Sequence, residues 1–459
     1  MLNKKIKKIH CIGIGGIGVS GIAALLHKKG YQVTGSDLKA SSLTAQLEKS
    51  GIKIFYHHSP ENIDDADLIV YSSAVSKRNP EMTAAKQKKI PTVRRAEMLV
   101  ELMKEFKGIA VAGTHGKTTT TSLITWILMT AGLDPSYMIG GIVRGLENHV
   151  SFGEGEYFVA EADESDASFL YFMPQIAVVN NIEPDHLNTY QGDFEKLKRT
   201  FLTFLKSVKP DGLCVLGIDS PAVAACIPAL LSPTVTYGLH EMADYRAVDI
   251  HYQGLQTAIK IKRPEQKALD IVLNLPGEHN VQNALAAVAV TSELKISDKK
   301  IQEALLSFQG VGRRFHLHGD IKLNKGKALL LDDYGHHPTA IDYVLKTAKQ
   351  VYPNRRIVLV FQPHRYSRTQ DLFQEFVKVL AKADVLVLTE VYAASEKKIN
   401  GADGNALYTQ IAKLRQNKSV YFVSHLDKIP AVLNDLVQEN DVVILQGAGD
   451  IVKLVEVLI

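Results

Sequence analysis

The sequence predicts an α/β protein built from three successive parallel-sheet domains, and three observations carry that expectation. Short apolar runs of strand length alternate with amphipathic stretches through most of the chain. Helical stretches close at glycine and restart after Ser, Thr or Asp, as in doubly wound folds. The 459 residues also exceed what one hydrophobic core usually supports.

The first block, residues 1–107, has strand candidates at 9–12, 32–34, 53–55 and 68–71 and a closing helix at 96–106. Basic residues from Lys4 to Lys8 precede an uncharged stretch at 9–26, a combination also found in signal peptides and membrane helices. Its glycines are too many for a stable apolar helix, so a buried strand, a turn and a helix are expected instead. Gly13-Ile14-Gly15-Gly16-Ile17-Gly18 fits Gly-x-Gly-x-x-Gly, and Asp37 ends the next strand about twenty residues on. Alone this pattern suggests NAD. A glycine turn at a helix N-terminus accepts any pyrophosphate, however, including that of a UDP-sugar.

The second block, residues 108–314, opens with a strand at 109–112, a glycine-bearing loop and a long helix to Gly132, followed by strands at 158–161 and 176–180. A less regular region at 230–275, with a β-like run at 271–275, precedes a helix beginning near His279. The loop Gly113-Thr114-His115-Gly116-Lys117-Thr118 is the most informative segment. Its glycines let backbone amides approach phosphate, Lys117 can reach the β and γ phosphates, and the Thr118 hydroxyl can ligate Mg²⁺. Val111 stands where the usual phosphate loop has glycine, so this is a shortened variant; a tight turn without a ligand is the bland alternative. With an ATP loop here, a nucleotide-linked substrate becomes the economical reading of the first glycine pattern.

ATP with Mg²⁺ needs further ligands. Glu161-Ala162-Asp163-Glu164-Ser165-Asp166 and Asn181-Ile182-Glu183-Pro184-Asp185-His186 each follow a predicted strand. Open α/β sheets place ligands at such ends, which makes Glu161 and His186 candidate metal ligands. An acidic loop by itself is more often a solvated turn or helix cap; two such loops after consecutive strands shift the balance.

The third block, residues 315–459, carries strands at 329–332, 357–361, 385–388 and 442–445. Arg313 and Arg314 stand at its entrance, where an arginine can swing over phosphates as domains close. Asp332-Asp333-Tyr334-Gly335-His336-His337-Pro338 and Pro363-His364-Arg365-Tyr366-Ser367-Arg368 follow two strands read as neighbours, and their convergence would make a carboxylate-binding cleft. A histidine pair alone is more often incidental surface.

Composition narrows the partners. A net charge of +4, with basic residues scattered, does not indicate bulk nucleic-acid binding. Cys11, Cys214 and Cys226 lack redox or zinc spacing, as expected in a reducing compartment. No fixed-period repeat, heptad run or low-complexity tract is evident.

Taken together, the blocks at Gly13, Gly113, Glu161, Asn181, Gly277, Gly312, Asp332 and Phe361 resemble the Mur ligase family over essentially the whole chain. The resemblance implies an N-terminal Rossmann-like domain for a UDP-sugar, a central P-loop ATPase-type α/β domain and a C-terminal Rossmann-like domain that closes over the site. It implies a cytoplasmic, ATP- and Mg²⁺-dependent ligase of peptidoglycan synthesis, with UDP-N-acetylmuramate as the acid and L-alanine as the amine. Gly113, Thr114, His115, Gly116, Lys117, Thr118 and Thr119 would hold the triphosphate, with Thr118, Glu161 and His186 at magnesium. His279, Asn280 and Asn283 resemble the adenine-contacting stretch, Arg314 the phosphate-contacting arginine, and Asp333 a residue on the ATP side of the closing domain. Tyr334, His336, Arg365 and Arg368 resemble residues near the amino acid and muramoyl group; Gly15, Gly16, Ser20, Asp37, His58 and Ser73 would line the UDP-sugar site. Lys117, Glu161, His186, Arg314 and His336 are the catalytic candidates. The alternatives are a family member that attaches a recycled murein tripeptide, an NAD-dependent oxidoreductase, and a non-enzymatic nucleotide-binding scaffold. No membrane insertion is expected, and monomer and homodimer stay open.

Overall fold

Strands buried on both faces organise the chain. The computed structural model describes residues 2, 5–72, 74–76, 78–416 and 419–459. Contacts divide it into two units, 1–249 with 259–272 and 282–308, and 250–258 with 273–281 and 309–459.

The first unit begins with a parallel sheet of β1 (Lys8–Ile12), β2 (Gln32–Ser36), β3 (Lys53–Phe55), β4 (Leu68–Tyr71) and β5 (Thr92–Arg94), in the order β3-β2-β1-β4-β5. Helices Ile17–Lys28, Ser42–Lys49, Pro80–Lys88 and Arg95–Met103 intervene along the chain. Strand order reverses between β1 and β4, which opens a crevice beyond the carboxyl end of β1 where the Gly13 turn begins.

The same unit carries β6 (Lys107–Ala112), β7 (Ser136–Met138), β8 (Val150–Ser151), β9 (Tyr157–Glu161), β10 (Ile176–Val179), β11 (Leu213–Gly217) and β12 (Thr234–Gly238). β6 lies between β9 and β10 and is parallel to both, with Val111 opposite Glu161 and Ala112 opposite Val179. Strand β6 starts at Lys107, so the last residue of the first block as read from the sequence opens this sheet. The segment expected to be irregular is instead regular: β12 is followed by β13 (Tyr245–Gln253), β14 (Gln256–Arg263) and β15 (Gln266–Leu273). Burial alternates along β14 and β15, as when a strand has only one covered face; its polar half hid it in the sequence.

In the second unit, β16 (His316–Leu323), β17 (Gly326–Asp333), β18 (Ile357–Phe361), β19 (Val385–Thr389), β20 (Val420–Val423) and β21 (Val442–Gln446) form the order β16-β17-β21-β18-β19-β20. Only β16 is antiparallel to its neighbour. Successive residues enter opposite cores: Leu331, Leu359, Phe361 and Ile444 on one face, Leu330, Val358, Val360 and Val443 on the other. The expectation that the loops after β17 and β18 come from adjacent strands is corrected here, because β21 lies between them.

Among the described residues no helix is long and apolar enough to cross a membrane. Cys11, Cys214 and Cys226 are buried free thiols, and burial pushes Cys11 up to about 12.

Candidate active site

The phosphate loop joins β6 to helix Lys117–Thr130, whose N-cap Gly116 has φ +81°. The first turn holds no acidic residue and no side-chain cap, which leaves its amide dipoles suited to an anion. A Cβ on Gly116 would stand 2.8 Å from Asn180 Nδ2, and one on Gly113, at φ +136°, 3.1 Å from Asn180 Cβ. The loop can therefore lie this close to the β10 extension only with glycine at both places.

That extension splints the loop. Asn181 Oδ1 accepts from the His115 amide at 2.8 Å, and Asn180 Nδ2 donates to His115 O and Thr120 Oγ1, each at 3.1 Å. The Glu183 amide donates to Thr114 Oγ1 at 2.9 Å, and Thr120 Oγ1 donates to Asn283 Oδ1 at 3.2 Å. Thr118 and Thr119 are buried at the start of the helix.

Lys117 Nζ donates to Gly113 O at 2.6 Å and to the Glu164 carboxylate oxygens at 2.9 and 2.8 Å. Burial opposes its charge, but Glu164, Asp163 and Glu161 outweigh burial and hold the ammonium above its ordinary value. Burial raises the Glu164 carboxyl, against the pull of Lys117. Sequence reasoning named the acidic run but gave Glu164 no role; the signal was its place three residues beyond the strand that neighbours the loop.

Glu161, at the end of β9, accepts from the Gly140 amide at 2.6 Å. His186, at φ +54°, follows β10 with Nε2 3.6 Å from Asp185 Oδ2. The two candidate metal ligands thus leave strands on either side of the phosphate loop. No three-residue histidine and carboxylate cluster among the described residues contains either of them. Glu161 offers an oxygen donor of the kind magnesium takes together with waters and substrate phosphates.

Around the first glycine turn, the Gly13 and Ile14 amides donate to Ser36 O, and Gly15 N donates to Asp37 Oδ2 at 2.9 Å. Gly16 caps helix Ile17–Lys28 without a side-chain bond. Ser20 is buried and donates to Ile17 O, while His58 Nδ1 meets Glu81 at 2.8 Å and Ser36 at 3.1 Å. Ser73 lies outside the described residues.

The second unit gathers most of the remaining candidates. The Arg313 and Arg314 guanidiniums lie 4.9 and 5.1 Å from the centre of the Tyr334 ring. Asp333 is buried and accepts from the Phe315 and Gly335 amides at 2.8 and 2.6 Å; burial raises its carboxyl against the Arg314 charge. His336 is 5.4 Å from Tyr334 and 5.6 Å from His364, ring to ring, so the two polar loops do meet. Arg368 NH1 donates to His364 O at 3.3 Å, and Arg365 faces Glu396 at 3.9 Å. His279 packs 5.3 Å from Tyr343 and Asn280 donates to Pro276 O, whereas Asn283 belongs to the first unit. The loop after β21 was missed: Gly447 O accepts from Arg313 NH2 at 2.6 Å, and Gly447 N donates to Asp333 O at 3.0 Å. Gly447-Ala448-Gly449 after an apolar strand was the available signal.

A glycine loop with a carboxylate-held lysine, two flanking polar loops and a separate arginine-rich loop cluster make the frame of a nucleotide-using enzyme, and comparison with known proteins gives its class as ligase. Family profiles described as "Mur ligase family, catalytic domain", "Mur ligase middle domain" and "Mur ligase, glutamate ligase domain" match residues 8–107, 111–291 and 313–449. The chain belongs to the Mur ligase family. It is 48% identical over 460 aligned positions to the UDP-N-acetylmuramate–L-alanine ligase of Coxiella burnetii, covering 100% of this chain and 99% of that protein. The crystal structure of UDP-N-acetylmuramate-alanine ligase from Thermotoga maritima superposes with a TM-score of 0.83 at 32% identity, covering 98% of each chain. A murein peptide ligase from Psychrobacter arcticus gives 0.72 at 25% identity, again covering 98% of each chain.

Proposed function

We propose that this chain joins L-alanine to UDP-N-acetylmuramate, with ATP converted to ADP and inorganic phosphate, in the cytoplasmic synthesis of peptidoglycan precursors. What carries the reading is Lys117, held between Gly113 and Glu164 at the phosphate loop of a chain 48% identical along its length to a protein named for that reaction. Residues 1–107 bind the UDP-sugar, 108–314 bind ATP, and 315–459 carry the acceptor loops.

A carboxylate oxygen of the muramoyl group attacks the γ-phosphorus and ADP departs, giving an acyl phosphate. The alanine nitrogen attacks the acyl carbon and loses a proton; the carbon–oxygen bond to phosphate breaks and phosphate leaves. Phosphorylation turns a poor leaving group into a good one. Lys117 releases one of its three donors from the protein to the γ-phosphate and offsets the charge that spreads during transfer. Mg²⁺, when bound, neutralises phosphate charge, and Thr118, Glu161 and His186 are the residues that would hold it. Arg314 and Asp333 serve the ATP phosphates, and His279, Asn280 and Asn283 take the adenine. Tyr334, His336, Arg365 and Arg368 orient the amino acid and muramoyl carboxylate. Gly15, Gly16, Asp37 and the neighbouring Ser20, His58 and Ser73 serve the UDP-sugar.

Coupled phosphate release tests this directly, with UDP-N-acetylmuramate and either L-alanine or the tripeptide L-Ala-D-Glu-diaminopimelate. Faster turnover with L-alanine is expected. Faster turnover with the tripeptide overturns the acceptor, and nicotinamide-dependent absorbance change without ATP overturns the class.

A further inference from the structure

We infer that His316, His318 and Asp332 form a binding site for one zinc-class divalent transition ion, separate from the magnesium chemistry of phosphoryl transfer. Their potential ligand atoms all lie within 4.8 Å of one another. His318 Nε2 stands 3.0 Å and His316 Nδ1 3.5 Å from the same oxygen, Asp332 Oδ1, with the two imidazole centres 4.2 Å apart. Ligands about 2.0–2.2 Å from a tetrahedral zinc lie roughly 3.2–3.6 Å from each other, so side-chain rotation alone opens the space.

The backbone explains why the three converge. His316 pairs directly with Asp332 across β16 and β17. Residues two apart on a strand share a face, so His316 and His318 both lie on the side of Asp332, and the register shift between Leu317 and Gly319 leaves His318 as the extra residue. Its ring meets the Asp332 carboxylate. The side chain of Asp332 is 3% exposed, while those of His316 and His318 are 23% and 17% exposed, leaving a solvent path on the imidazole side.

The carboxylate divides its two oxygens. Oδ1 faces both imidazoles, whereas Oδ2 has no hydrogen-bond partner and stands 3.6 Å from Arg313 Nε. Arg313 is held by Gly447 O and by the Tyr334 ring, so its charge stays on the Oδ2 side. A nitrogen-rich set of two imidazoles and one carboxylate favours zinc, cobalt or nickel over magnesium, which prefers oxygen; water completes the coordination.

The test uses the full chain in excess Mg²⁺, titrated with Co²⁺ and followed by its visible d–d absorption and by equilibrium dialysis. One Co²⁺ equivalent is expected at this site. The H316Q, H318Q and H316Q/H318Q variants, each checked for an unchanged unfolding midpoint in chelator, should lose that equivalent or bind it about tenfold or more weakly. H186N, which alters the proposed magnesium centre, should retain it. Undiminished Co²⁺ affinity in the folded single and double variants, or displacement of the ion by Mg²⁺, overturns the assignment.

Discussion

Both carboxylate oxygens of Glu164 accept from the ammonium of Lys117, at 2.9 and 2.8 Å. The pair fixes the lysine Nζ beside the Gly113 carbonyl of the loop. It also keeps a buried charge compensated, and removing one partner of such a pair costs about 3–5 kcal/mol. Glu164→Gln should therefore retain a hydrogen-bond acceptor while lowering both kcat and the thermal midpoint. Lys117→Ala should suppress phosphate release by about a hundredfold or more and leave UDP-sugar affinity nearly unchanged. Full phosphate release by Lys117→Ala would remove the loop from the mechanism.

Gly116 supplies a second prediction. Its φ of +81° and its closeness to Asn180 leave no room for a side chain. Gly116→Ala should cost about 1–2 kcal/mol in stability from backbone strain and abolish ATP binding, measured by calorimetry with a nonhydrolysable analogue. Unaltered nucleotide affinity would show that the loop does not cradle phosphate.

The Tyr334 ring lies beneath two guanidiniums. Each cation–π contact contributes about 0.5–1 kcal/mol, and a phenyl ring preserves it. Tyr334→Phe should keep most of the turnover if the ring's task is to position Arg314, while Tyr334→Ala should lower kcat/KM about tenfold. Equal losses in the two variants would assign the role to the phenol hydroxyl instead.

Glu81 supplies a prediction about acid stability in the first sheet. Burial raises its carboxyl, but hydrogen bonds from His10, Asn62 and Ser36 outweigh burial and hold it at about 2. A depressed native value stabilises the fold above pH about 4.5, and the gain is lost as pH falls toward 2, a differential of about 3 kcal/mol. Urea midpoints measured across that interval should fall more steeply for the wild type than for Glu81→Gln. Parallel slopes would refute the assignment.

The strands buried on both faces were legible because parallel sheets write themselves as unbroken apolar runs: 9–12, 357–361 and 442–445 each lie in an observed strand. Strand β14 was not, and only the end of β15 was, because half their residues face outward. The order of the third sheet was also hidden, since a strand's neighbours depend on crossovers and not on its own residues. Phosphate-loop residues were readable from fixed spacing within one segment. The pairing of Lys117 with Glu164 joins two segments 47 positions apart. The Gly447 loop carries glycine and alanine alone, so its contacts with Arg313 and Asp333 are made by backbone atoms that the side-chain letters do not advertise.

The insertion of β21 between β17 and β18 has a consequence for synthesis on the ribosome. The strand that links the two halves of the sheet is translated after β17, β18, β19 and β20. Until it emerges, Leu331 and Leu359 belong to separate fragments with unpaired edges, open to chaperones and to aggregation. Release of the nascent chain just after β20 should yield material that binds holdases and resists refolding.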